Sequence, residues 1–122
     1  PVGAAAALAC LAETQRLNLV ENASARGAQL WAGINRLKGK YTVIGDVRGG
    51  HGLMLAIELV GERASKSAPP KAQPGQVQEV AYKAGAMVRV SGPNIILSPP
   101  LVVTEADVDT ILSALDAGFS AP

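Results

Sequence analysis

The chain has 122 residues, 48% of them hydrophobic and 17% charged, which suits one packed core and excludes a disordered tail. Eleven Lys and Arg against ten Asp and Glu leave a net charge of +1, so no broad basic field exists to hold nucleic acid or an anionic membrane. A single cysteine and a single histidine exclude an internal disulfide and a four-ligand zinc site.

Val2 to Ala12 is alanine-dominated, too short for a membrane span and without a basic flank, so it predicts a helix and not an anchor or signal peptide. A cytoplasmic location is expected. Pro1-Val2-Gly3-Ala4 runs without an initiator Met straight into this helix, which reads as an opening inside a longer protein. The helix should reach about Arg16, with Cys10 a small core residue. Asn18 and Glu21 resemble an N-cap and its capping-box partner. Val20, Ala23, Gly27, Leu30, Ile34 and Leu37 then recur at helical spacing, with Arg26, Gln29, Arg36 and Lys38 off that stripe and Gly39 placed as the stop.

From Tyr41 the period changes. Val43, Ile44 and Val47 predict a short strand closed by Gly49-Gly50-His51-Gly52, and the run Leu53–Val60 predicts a central strand buried on both faces. Residues 61–76, with Pro69, Pro70 and Pro74, read as a long surface loop. Val77, Val80, Ala81 and Ala84 predict a short helix ended by Gly85. Met87–Val90 and Asn94–Leu97 predict two strands joined by Ser91-Gly92-Pro93, the second ended by Ser98-Pro99-Pro100. Thr104 with Asp107 predicts a capped last helix carrying Val108, Ile111, Leu112 and Leu115, with Gly118 as its stop. The expected class is α+β, a small, mainly antiparallel sheet with helices packed on one face.

No catalytic constellation assembles by spacing. His51 sits in a glycine-rich turn without an acid or nucleophile beside it and reads as a turn residue. That turn joins two strands, so it lacks the helix dipole a phosphate cradle needs. Arg48 flanks the same turn and reads as structural. Arg89 stands inside an apolar strand, where alternation puts Met87, Arg89 and Ser91 on one face and Val88 and Val90 on the other. Its guanidinium must reach water, a carboxylate or a ligand, because burying it unpaired is very costly. Two readings follow: a solvent-facing edge arginine, or a two-pronged carboxylate clamp.

Four motifs carry a wider likeness. They are Pro1-Val2-Gly3-Ala4-Ala5-Ala6-Ala7-Leu8; Leu19-Val20-Glu21-Asn22-Ala23 with Arg26-Gly27; Ile44-Gly45-Asp46-Val47-Arg48-Gly49 into Gly52-Leu53-Met54; and Val88-Arg89-Val90-Ser91-Gly92 through Leu97-Ser98-Pro99-Pro100-Leu101. In this order the chain resembles the C-terminal segment of class III aminotransferases dependent on pyridoxal 5'-phosphate (PLP), especially the ω-amino acid/β-alanine–pyruvate type. The resemblance implies a fold-type I subunit with a large PLP-binding domain outside this chain, working as a homodimer. Residues 1–18 would be the connecting helix from that domain, and residues 19–122 the C-terminal small domain.

The same resemblance implies that Arg89 matches a mobile arginine that pairs with the substrate or keto-acid carboxylate and swings aside for an uncharged substituent. Its expected partners are small amines and keto acids such as pyruvate. The family's Schiff-base lysine and its cofactor-binding groups would lie upstream of Pro1, and none of Lys38, Lys40, Lys66, Lys71 or Lys83 sits in the matching motif. No catalytic, cofactor-binding or metal-binding residue is therefore expected in this chain, and alone it should be inactive. Two departures stand out: Gly49-Gly50-His51-Gly52 replaces a shorter Gly-x-Gly, and residues 65–74 lack the aromatic residues of many relatives. Two rival readings are an independent amino-acid-binding regulatory domain, with Arg89 holding the effector, and a structural fragment for dimerisation.

Overall fold

A computed structural model describes residues 1–121, so the last residue of the expected 19–122 unit lies outside that range. Helix α1 (Val2–Arg16) follows from its composition, since Ala and Leu lose little on entering a helix. It has no buried residue, and Val2, Leu8 and Leu11 are exposed. Cys10 is exposed too, which corrects its expected place in the core, because the helix carrying it stands outside the core cluster.

Helix α2 (Leu19–Lys40) begins after a reversal at Asn18, whose φ of 54° is left-handed. In that conformation the side chain caps nothing, so the expected box with Glu21 does not form. The Asn18 N–H instead donates to the Gln15 carbonyl at 3.1 Å and closes the end of α1. Along α2, Gly27, Leu30 and Ile34 are buried and Ala23 and Leu37 half-buried, while Val20 stays exposed. Gly39 does not end the helix. It runs on to Lys40, where Arg63 meets it, donating to the carbonyls of Lys38, of Tyr41 at 2.8 Å and of Ile44 at 2.8 Å.

Strands β1 (Ile44–Arg48), β2 (Leu55–Leu59), β3 (Arg89–Ser91) and β4 (Asn94–Leu97) form one antiparallel sheet in the order β1-β2-β4-β3. Helices α2, α3 (Gln73–Lys83) and α4 (Glu105–Ser120) close one face, burying Leu30, Ile34, Val77, Ala81, Val108 and Leu115 with Val47, Leu55, Ile57, Leu59, Ile95 and Leu97. Each fully buried Leu or Ile stabilises the fold by about 1.5–3 kcal/mol. The α+β expectation therefore holds, with α1 outside the layer.

Strand β2 departs from its expected form. It is shorter than the 53–60 run and alternates, with Leu55, Ile57 and Leu59 buried and Ala56 and Glu58 only half-buried. Burial on both faces would need a second covering layer, and this sheet has one. Strand β3 starts at Arg89 and not at Met87; Ser91 pairs with Asn94 across the two-residue turn Gly92-Pro93, where Gly92 supplies a φ of 58°. Helix α3 starts at Gln73, with Pro74 in the first turn where its lost N–H costs nothing, so the preceding loop is shorter than expected. The Thr104–Asp107 capping box forms. Helix α4 passes Gly118, which lies against the Val77 carbonyl: a Cβ there would sit 3.0 Å from that oxygen. Gly118 thus permits close α3–α4 packing and does not stop the helix. Among the described residues no helix is long and apolar enough to cross a membrane.

Candidate functional site

Among the described residues the second face of the sheet carries no helix, and its side chains follow from the register. Arg48 pairs with Ala56, Ala56 with Ile96, and Ile96 with Arg89. One row thus crosses the open face with an arginine at each edge, roughly 14 Å apart along the backbone at about 4.8 Å per strand. The adjacent row is Asp46, Glu58, Asn94 and Ser91.

The two arginines differ in their company. Arg48 donates to Glu58 Oε2 at 3.0 Å and Asn94 Oδ1 at 2.8 Å, with Asp46 at 3.9 Å, so its charge is compensated within the sheet. This agrees with a structural role. Arg89 forms no ion pair among the described residues. It is exposed, as are Met87 and Ser91, while Val88 is buried and Val90 half-buried, which is the expected alternation.

Arg89 lines an open groove of about 830 Å³ at the β3–β4 edge, with Met87, Ile96, Pro99, Pro100 and Ile111 among its walls. Gln78 and Asp107 also line it. The Asp107 carboxylate is occupied at the start of α4: it accepts from the Thr104 hydroxyl at 2.7 Å and the Thr104 N–H at 2.9 Å, which hold it below the usual carboxylate range. The groove therefore offers one cation with unused donors over partly apolar walls. Such a surface suits a small anion with an apolar or reactive remainder.

Beside this groove, at Val102 and Val103, helix α2 holds the segment that leads into α4. The Asn22 side-chain amide donates to the carbonyls of Leu101 at 2.7 Å and Val103 at 3.0 Å, fixing the segment after Pro99-Pro100 onto α2. One turn on, Arg26 donates to Glu105 at 3.1 Å, and Gln29 donates to the Glu105 carbonyl at 3.2 Å and to Asp109 at 3.0 Å. Gly27 meets the glycine-rich turn so closely that a Cβ would lie 2.2 Å from the Gly52 carbonyl oxygen. His51 is exposed in that turn, which joins β1 to β2 as expected. Sequence reasoning missed Asn22 and Gln78 as supports of the groove. The signal available was a polar stripe, Asn22, Arg26 and Gln29, at helical spacing.

The lysines lie apart from one another and from the Arg89 groove. Lys38 pairs with Asp46 at 3.0 Å, Lys40 with Asp116 at 2.7 Å and Lys83 with Glu79 at 2.7 Å, while Lys66 and Lys71 are exposed in the loop before α3. None of them lines the Arg89 groove.

The arginine groove thus stands at the edge of a sheet with one open face and one face backed by helices. The family model "Aminotransferase class-III" matches residues 1–118. The taurine–pyruvate aminotransferase of Bilophila wadsworthia is 37% identical over 97% of this chain and 27% of its own length. An amine transaminase from an uncultivated Pseudomonas species, solved in its PLP-bound internal aldimine form, superposes with a TM-score of 0.88 at 40% identity, over 95% of this chain and 26% of that one. An (S)-enantioselective omega-transaminase from Thermomicrobium roseum gives 0.84 at 33% identity, over 93% and 25%. The chain belongs to the class III aminotransferase family. It spans about a quarter of the length of these relatives.

Proposed function

We propose that the full-length protein transfers an amino group from an amine or ω-amino acid to a keto acid such as pyruvate, and that this chain supplies its carboxylate receptor, Arg89. The observation that carries the reading is the contrast between the two arginines of one sheet row: Arg48 pairs with Glu58 and bonds to Asn94, while Arg89 lines a groove and has no ion-pair partner among the described residues. The sequence likeness to a taurine–pyruvate aminotransferase and to two transaminases supports the same chemistry.

When bound in the full-length protein, PLP supplies the electron sink for moving the amino group. The position of the lysines away from the Arg89 groove supports a cofactor seat in polypeptide outside this chain, with this chain inactive alone. Residues 1–18 then connect to the larger domain, which agrees with an α1 that buries none of its residues here. Residues 19–122 form the small lobe of one subunit of a homodimer. Within that lobe, Arg89 holds a carboxylate through paired N–H donors and orients the rest of the molecule toward the reacting centre. Its exposed position at a strand edge leaves the side chain room to turn away when the substrate carries no charge.

Kinetics on the full-length protein test this. Arg89→Ala should lower kcat/KM for an acidic amine about 10- to 100-fold, equivalent to about 1.4–2.8 kcal/mol, and change that for a neutral monoamine less than about threefold. Equal losses for both substrates would make Arg89 a structural residue.

A further inference from the structure

Arg89 stands on a strand of only three residues at the edge of the sheet, paired on one side alone with β4. Edge strands expose backbone groups that need other partners, and a strand this short has few ladder bonds to hold its direction. The carbonyl of Val88, which belongs to the peptide leading into Arg89, is bound from outside the sheet: the Gln78 side-chain amide donates to it at 2.7 Å. Gln78 is half-buried on α3, whose Val77 and Ala81 are locked into the core, so the donor rests on a rigid element. It also lines the same groove as Arg89.

We propose that Gln78 is a positioning residue for substrate carboxylates, acting through the Val88–Arg89 peptide. The inference rests on the reading of Arg89 as the carboxylate receptor and adds a second residue to that site. Without the amide donor the Val88 carbonyl loses its side-chain partner, the N-terminal side of β3 loosens, and the guanidinium no longer starts from a fixed backbone. A guanidinium displaced from its planar fork geometry holds a carboxylate less tightly. The loss should therefore fall on anionic substrates and spare uncharged ones.

The test uses the full-length holoenzyme with pyruvate, an acidic amine and a neutral monoamine. Gln78→Met keeps the length and helix-forming character of the side chain and removes the donor. It should raise KM for pyruvate and the acidic amine about three- to tenfold, leaving kcat and the neutral-amine half-reaction within about twofold. Placed on Arg89→Ala, the same change should add nothing for acidic substrates, because the two act through one contact. Gln78→Leu, which also lacks the amide donor and adds no charge to the groove, carries the test should Gln78→Met not accumulate as folded protein. Parallel losses for acidic and neutral substrates, full additivity with Arg89→Ala, or failure of both variants to fold would overturn the proposal and assign Gln78 to the fold. If Arg89→Ala itself fails to discriminate between the substrates, the carboxylate-receptor reading is what has failed.

Discussion

Arg63 shows how one side chain ends a helix that no cap residue ends. Its guanidinium donates to the carbonyls of Lys38, Tyr41 and Ile44, and so serves the last turn of α2 and the start of β1 together. Arg63→Ala should lower unfolding stability by about 1.5–3 kcal/mol, the range for lost hydrogen bonds from a charged donor, read as a shift in the urea midpoint at unchanged slope. The residue gave no sign of this in sequence, where it lies in a polar loop. Arg89 was legible because a charged residue inside an apolar strand demands an explanation. Asn22, Arg26 and Gln29 were not, because a polar stripe on an amphipathic helix usually faces water; here it bonds to the segment from Leu101 to Asp109.

Among elements, the contact of α2 with the glycine-rich turn is the tightest constraint. A methyl group at Gly27 would meet the Gly52 backbone oxygen, which has no flexible end to move aside. Gly27→Ala should therefore destabilise the fold by about 1–3 kcal/mol, although Ala is the better helix former by about 1 kcal/mol. Gly39→Ala is the matched control: nothing lies within 4 Å of its added Cβ, and the change should stabilise. Thermal unfolding of the two variants reads both signs. The glycines were visible in sequence, yet Gly39 and Gly118 were expected as helix stops and both lie inside helices. Glycine at helical spacing has two uses, termination and close approach, and only the neighbour across the gap tells them apart. The same limit applied to β2, whose apolar run hid an alternation that depends on how many layers cover the sheet.

Across the whole molecule, α2 and α4 are tied by charges as well as by the core. Asp116 accepts from Lys40 at 2.7 Å and from the Tyr41 hydroxyl at 2.7 Å, and these donors, Lys40 first, hold its carboxyl below the ordinary carboxylate range. Lys38, followed by the Val47 N–H, does the same for Asp46. A carboxyl whose pKa is lower in the folded chain adds stability above its unfolded value, about 4, and loses that contribution as pH falls through the folded value. Urea stability should therefore change little on this account between about pH 7 and 5 and fall below about pH 4. Asp116→Asn should be less stable than the parent at pH 7 and show a shallower acid decline. A steeper decline in the variant would contradict the assignment.

The antiparallel sheet, its helical layer and the family were all legible in the chain, since turn residues and apolar periods mark local elements well. The row joining Arg48 to Arg89 was not, because it depends on register between strands far apart in sequence. That row allows the most direct measurement: the pyruvate KM of the full-length protein with Arg89→Ala and Arg48→Ala compared side by side. Arg89→Ala should raise it at least about tenfold and Arg48→Ala less than about twofold, both proteins remaining folded. A similar rise in both, or a larger one for Arg48→Ala, would contradict the placement of the carboxylate at Arg89.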